Sequence, residues 1–385
     1  MFENLSYLIL QHYWWAIVSL LGAILVFMLF VQGGQTLIFS LGKTNIQRKV
    51  VVNALGRKWD LTFTTLVTFG GAAFASFPLF YATSFGGAYW VWMIILFAFI
   101  IQAVSYEYRS KPNNFLGEKT YEIFLFINGV VATVFLGTAV ATFFTGSEFS
   151  ISNMNSSFWQ SPYRGLELAF NFSRFSTFVN LSLGLAVFFL SRVLASQYFM
   201  NSIDDGQILR NARKQLIFNA IPFLFFFLFF LISILLMDGF AYNPETKEVF
   251  MQPYKYFNNF IEMPLVGVIL LIGIILVLLG IIRGYFASDK CGSRAIWVSG
   301  SGTILTVFAL LLTSGYNNTC FYPSTFDLQS SLTIENASSS HYTLTAMSYV
   351  SLIIPFVIAY IWYAWSALNK NKITEEEMEN DSHAY

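Results

Sequence analysis

Residues 13–41 read YWWAIVSLLGAILVFMLFVQGGQTLIFSL, 29 positions without a charged residue. A helix needs about 20 mostly apolar residues to cross a hydrocarbon core of roughly 30 Å. A barrel strand would be about half as long and would alternate in polarity, so this stretch reads as a transmembrane helix. Eight further runs of the same kind follow, near 60–82, 86–106, 121–145, 171–197, 215–238, 263–283, 295–316 and 342–368. The chain is thus expected to be an all-α integral membrane protein with about nine transmembrane helices. It forms one polytopic membrane domain over residues 1–385, ending in a short acidic tail at 369–385. Met1 to Tyr13 holds one Glu and no Lys or Arg. The first apolar run therefore lacks the basic flank of a signal peptide, is too long for one, and is expected to be retained.

Composition agrees. Of 385 residues 56% are hydrophobic and 11% charged, against roughly a quarter charged in soluble domains. The 43 Phe, 20 Tyr and 9 Trp suit a protein that can place aromatics on lipid and at both membrane interfaces. Zero net charge gives no bulk attraction to nucleic acid. Cys291 and Cys320 match neither a disulfide framework nor a metal motif, and no P-loop, dinucleotide fingerprint, HExxH or CxxC occurs.

Basic residues in short loops are retained on the cytoplasmic side. With the N-terminus outside, the cytoplasmic segments hold Lys43, Arg48, Lys49, Arg57, Lys58, Arg109, Lys111, Lys119, Arg192, Arg210, Arg213, Lys214, Arg283, Lys290, Arg294, Lys370 and Lys372, which is 17 of the 21 basic residues. The outer loops keep Arg164, Lys247 and Lys255, with Arg174 at the outer start of the fifth helix, and the loop Asn317–Ser340 has none. An even number of spans would break this alternation. The expected topology is a multi-pass inner-membrane protein of a prokaryotic cell, N-terminus outside and C-terminus cytoplasmic. The Ser-, Asn- and Pro-rich segments Ser147–Arg164, Asp238–Glu262 and Asn317–Ser340 read as outer loops or short interfacial helices.

Ionisable residues inside a membrane are expensive, so each is a functional candidate. Asp60 opens the second helix beside Arg57 and Lys58. It can be a helix-end carboxylate favoured by the dipole and paired with one of those cations. It can also be a proton-conducting acid that passes protons along the hydroxyls of Thr62, Thr64 and Thr65. Glu107, in Tyr106-Glu107-Tyr108-Arg109-Ser110-Lys111, suits an interfacial ion pair with Arg109 or Lys111 and is a further proton-path candidate. Asp238 reads as solvated. Gln32 and Gln35 flank Gly33-Gly34; buried amides need hydrogen-bond partners, which fits helix packing through the glycines or a polar pathway. The stretch Gly70-Gly71-Ala72-Ala73 with Ala75 and Ser76 allows close helix approach.

A haem on this chain would need axial ligands. His12 and His341 fall at outer helix ends and His383 in the tail, while Met28 and Met237 are ordinary filler. The residues identify no haem and no metal site.

Several stretches resemble subunit II of the cytochrome bd quinol oxidases. They are Leu41-Gly42-Lys43-Thr44-Asn45-Ile46-Gln47-Arg48-Lys49, Trp59-Asp60, Gly70 to Ala82, and Tyr106 to Lys111. Ser331-Leu332-Thr333-Ile334 with Ala337-Ser338-Ser339 and Thr343-Leu344 resembles the family's last outer loop, and Ile373 to His383 its tail. The apolar middle, about 165–315, is matched mainly by hydropathy. The resemblance implies two four-helix bundles plus one peripheral helix, paired with a haem-bearing subunit I that holds the b-type haems, haem d and the quinol site. It implies that the complex oxidises quinol, reduces oxygen to water and builds a proton gradient, and that this non-haem chain is not active alone. It makes Asp60 the best candidate for cytoplasmic proton uptake. A small accessory subunit, membrane lipid, or a quinone or lipid at the subunit surface is compatible with it. Two departures stand out. Gln32-Gly33-Gly34-Gln35 replaces the Asp-Gly-Phe-Asp of many members, and Leu61-Thr62-Phe63-Thr64-Thr65 follows Trp59-Asp60 where Gly-Asn-Gln-Val-Trp is frequent.

Two other readings remain. A secondary transporter would show inverted repeats, broken helices and midplane polar residues, of which there is little here. A purely structural assembly subunit would leave Asp60 idle.

Overall fold

The computed structural model describes residues 2–111, 114–152, 155–286, 294–368 and 372–374. Lys290, Cys291, Lys370 and the tail from 375 onward, with His383, lie outside the described residues.

Among the described residues eight helices are long and apolar enough to cross a membrane. They are Tyr7–Gln35, Tyr89–Tyr108, Glu118–Thr145, Phe175–Ser202, Gly206–Leu236, Pro264–Phe286, Ala295–Gly315 and His341–Ala367. The ninth crossing is the second in chain order, Trp59–Ser76. Asp60, Thr62, Thr64, Thr65 and Thr68 keep it less apolar than the other eight. These helices are numbered below as spans one to nine in chain order.

The ends of the spans follow local chemistry. Span one starts at Tyr7, ahead of the expected 13, because the Ser6 hydroxyl accepts from the Ile9 amide. Span two stops at Ser76 and does not run to 82. Pro78 keeps the preceding Phe77 out of helical conformation, at φ −132° and ψ 67°. A short turn Pro78–Tyr81 and a π turn Ala82–Gly86 follow. Span six begins at Gly206, nine residues before the expected 215, because the Asp205 carboxylate caps the amides of Gln207 and Ile208 at 2.9 and 2.6 Å. Its first turns carry Gln207, Arg210, Asn211, Arg213 and Lys214, so no apolar run announces them. Span nine is interrupted at Leu352 and Ile353 and resumes at Ile354.

Spans one to four form one bundle and five to eight the other. Four and five, one and five, and one and eight carry the seam between them. Small residues set that seam. A Cβ on Gly33 would stand 2.2 Å from the Ser191 carbonyl carbon, and one on Gly137 would stand 2.8 Å from Gly184 Cα. Span nine is peripheral. It touches spans one and two, and most of its surface is exposed.

The loops gather at the two ends of the bundles. At one end the hairpin Phe149–Ile151 with Ser157–Trp159 and the hairpin Gly239–Tyr242 with Val249–Gln252 join the 317–340 segment. The Ser147 amide donates to Pro323 O at 3.0 Å, Tyr242 Oη to Glu335 Oε1 at 3.0 Å, and the Ser339 amide to Ser76 O at 2.7 Å. At the opposite end Gln47 Nε2 donates to Gln207 Oε1 at 3.3 Å and Asn211 Nδ2 to Leu41 O at 3.2 Å, while Ile203 bridges Ile373. Tyr7 Oη donates to Ser339 O at 2.7 Å at the first end and Ile373 lies at the second, so the described segments before span one and after span nine lie at opposite ends of the bundles.

Candidate functional site

The basic end of the first bundle contains a buried polar column. Gln32 and Gln35 leave span one, Gln102 and Tyr106 span three, and Asn128 span four. Gln32 Nε2 donates to Gln102 Oε1 at 3.1 Å, and Asn128 Nδ2 donates to both Gln102 Oε1 and Gln35 Oε1 at 2.7 Å. Gln35 Nε2 in turn donates to Tyr106 Oη at 3.1 Å. Gly129 lets span four approach, since a Cβ there would stand 2.4 Å from Gln32 O. Amides linked in this way fix one register between three helices, because breaking a link leaves a further buried polar group unpaired at a cost of about 1–3 kcal/mol. Gln32 Oε1, Gln102 Nε2 and Asn128 Oδ1 have no protein partner.

Toward the basic end the column becomes charged. Glu122 is buried between two guanidinium groups, with Arg109 Nη2 at 2.7 Å from Oε1 and Arg48 Nε at 2.9 Å from Oε2. The Arg48 approach is an ion contact with poor hydrogen-bond alignment, for neither atom has a bonded partner. The Thr44–Gln47 capping box starts the short helix Asn45–Gly56 and carries Arg48 to this position.

Asp60 stands in the first turn of span two and is exposed. Its neighbour Lys58 turns away, placing Nζ 4.5 Å from the centre of the buried Trp365 ring. Burial first, and Arg57 second, push the Lys58 amine down to about 8. Trp59 stacks on Tyr106 with centroids 5.6 Å apart, so the Asp60 backbone adjoins the column while Asp60 itself is exposed. The three threonines do not form one chain of hydroxyls. Thr62 is buried and donates to Met28 O at 3.1 Å, Thr65 donates to Leu61 O at 2.6 Å, and Thr64 is exposed. Glu107 is exposed and pairs with Lys111 at 3.2 Å, while Arg109, the other cation offered to it by sequence, goes to Glu122.

Sequence reasoning found Gln32 and Gln35 but missed Gln102, Tyr106, Glu122 and Asn128. The signal was present, because Gln102, Glu122 and Asn128 all fall inside predicted apolar runs. His12 and His341 engage backbone carbonyls, His12 Nδ1 with Leu8 O at 2.8 Å and His341 Nε2 with Leu5 O at 3.2 Å. No group of three His, Cys, Asp or Glu able to hold a metal occurs among the described residues.

The family described as cytochrome bd terminal oxidase subunit II matches residues 10–368. The chain belongs to that family. Cytochrome bd-I ubiquinol oxidase subunit 2 of Escherichia coli (strain K12) is 26% identical over 395 residues, covering 99% of each chain. Cytochrome bd ubiquinol oxidase subunit 2 of Bacillus subtilis (strain 168) is 25% identical, covering 88% of this chain and 89% of the relative. A chain of the solved bd oxidase from Geobacillus thermodenitrificans shares the fold, with TM-score 0.57, 11% identity, and coverage of 94% of this chain and 99% of that one. The protein is thus a multi-pass membrane subunit of a bd-type quinol oxidase complex. In this member of the bd family the buried column of span one is built from amides, Gln32 and Gln35.

Proposed function

We propose that this chain is the haem-free half of the oxidase: it docks a haem-bearing subunit I through span two and delivers protons to it from the basic, cytoplasmic end. Membership of the subunit II family across residues 10–368 carries the reading. Span two supports the docking face. Asp60, Thr64 and Thr68 are exposed along it, and a Cβ on Gly71 would meet nothing within 4 Å. A polar, small-residue face is poorly suited to lipid and well suited to close contact with another helix. Asp60 would then lie at the seam between subunits, where a carboxylate can collect protons for the partner. Glu107, exposed at the same end, would assist collection.

The column of Gln32, Gln35, Gln102, Tyr106 and Asn128 suits an accessory role. Amides do not titrate, but their free valences can order a water chain. The positive-inside distribution supports an outer N-terminus and a cytoplasmic C-terminus. Haem and quinol chemistry belong to the partner on this reading, since His12 and His341 lie at the loop end with backbone partners.

The test is to purify the tagged chain from native membranes and record a reduced-minus-oxidised visible spectrum. Haem b and haem d bands with a co-purifying membrane protein are expected, and a haem-free, partnerless chain would sink the reading. In the same preparation Asp60→Asn should keep the haem bands while turnover falls on the order of tenfold, less than the 10²–10⁴ that a positioned acid supplies at a reacting centre. Unchanged turnover would remove Asp60 from the path.

A further inference from the structure

Spans seven and eight pack against each other along their length, and glycine stands where their backbones meet. A Cβ on Gly280 would stand 2.1 Å from Ser299 Oγ, and one on Gly302 2.6 Å from the Val277 amide nitrogen. Helices this close leave a furrow along their outer side. At the basic end it widens into an open groove of about 460 Å³ lined by Leu276, Arg283, Arg294, Trp297, Val298 and Ser301. Two apolar cavities inside the bundles hold about 50 and 80 Å³.

The lining is graded along the helix axis. Arg283 is in the last turn of span seven, and Arg294 is the residue before the first turn of span eight. Leu276 and Ser301 lie seven residues further in on their respective helices, about 10 Å deeper at 1.5 Å per residue. The two cations thus mark the head-group level, and Leu276 and Val298 lie toward the hydrocarbon. Trp297 is partly exposed on one wall, as aromatic residues are at a membrane interface. Ile272, Ile275, Leu279 and Ile282 continue an exposed apolar ridge along span seven. Ser301 donates to Trp297 O at 2.7 Å, which leaves its oxygen facing the groove only as an acceptor. At this end Arg48 and Arg109 are drawn inward to Glu122 and Lys58 to Trp365, while Lys43, Arg210 and Lys214 are exposed outside the groove. Arg283 and Arg294 are both exposed in one groove. The unfilled valence of the span-eight N-terminus adds positive potential beside Arg294.

We propose that this groove is a binding site for one anionic phospholipid, its phosphodiester held by Arg283 and Arg294 and its acyl chains laid along Leu276, Val298 and the span-seven ridge. A basic pocket between transmembrane helices at the interface has the chemistry for such a head group. Two cations near the surface predict roughly 5-fold weaker binding when one is neutralised and about 30-fold when both are.

The experiment uses the intact oxidase complex, delipidated in mild detergent and titrated with cardiolipin, phosphatidylglycerol or phosphatidylcholine under native mass spectrometry. Wild type should retain one cardiolipin or phosphatidylglycerol in preference to phosphatidylcholine, and R283Q/R294Q should lose that preference with haem bands unchanged. Ser301→Phe, which fills the groove and keeps both charges, should lower retention as well. Equal retention by wild type and both variants, or equal retention of phosphatidylcholine, would overturn the site. Competition by millimolar inorganic phosphate without any preference for lipid would show a free-anion site instead and also overturn it. Haem bands in the same sample report on the oxidase reading separately.

Discussion

At the residue scale Glu122 organises the basic end of the first bundle. It is the shared acid of two guanidinium groups, and both Arg109 and Glu122 have nearly no exposed side chain. Removing one partner of a buried pair leaves the other charge uncompensated, which costs about 3–5 kcal/mol. Glu122→Gln keeps the shape and one acceptor but strands Arg48 and Arg109. The variant complex is expected to lose about that much stability, read as a marked fall in its thermal unfolding midpoint. Glu107→Gln, which removes an exposed acid paired with the exposed Lys111, should stay within about 0.5 kcal/mol of wild type in the same assay. Equal midpoints for the two variants would show that the Glu122 cluster is not structural. The sequence displayed Glu122 at the start of a predicted run, where it looks like another interfacial acid. Its burial depends on Arg48, 74 positions earlier in the chain, and no local pattern links the two.

At the element scale the sequence was informative wherever a span was apolar along its whole length. Spans three, four, seven and eight begin and end within three residues of the apolar runs that announced them. Prediction drifted where other chemistry sets a boundary: the Asp205 cap with its polar turns before span six, and Pro78 after span two. The packing of the spans was less legible, because it rests on glycines whose partners lie on other helices. Gly184 is the sharpest case. A Cβ there would stand 2.4 Å from Thr138 Oγ1 and 2.6 Å from Val134 O, so a larger residue must push span four away from span five. Gly184→Val should cost roughly 1–3 kcal/mol by overpacking and make the bundle seam the first part to exchange amide hydrogens. Unchanged exchange along Val134 to Thr138 would show that the seam tolerates the added volume.

For the whole molecule the decisive property is which end faces the cytoplasm, since it determines what Asp60 and the polar column can do. The structure makes the two ends chemically different. One is a cap of two hairpins and the 317–340 loop, knit by backbone and side-chain hydrogen bonds. The other carries Lys43, Lys49, Arg57, Arg192, Arg210, Arg213 and Lys214 around the helix Asn45–Gly56. Each cation there resists translocation, and the bias accumulates over successive short loops. The capped end has no such bias and has side-chain and backbone bonds to fold on after translocation. Alkaline phosphatase, active only outside, should therefore be active when fused within the exposed turn Asn243–Thr246 and inactive when fused after Lys372. A green fluorescent protein fused after Lys372 should fluoresce. The reverse pattern would put Asp60 and the Gln32–Asn128 column on the outer face, where they could not supply protons to oxygen reduction from the cytoplasm. It would leave the fold and family unchanged while removing the proton-delivery reading.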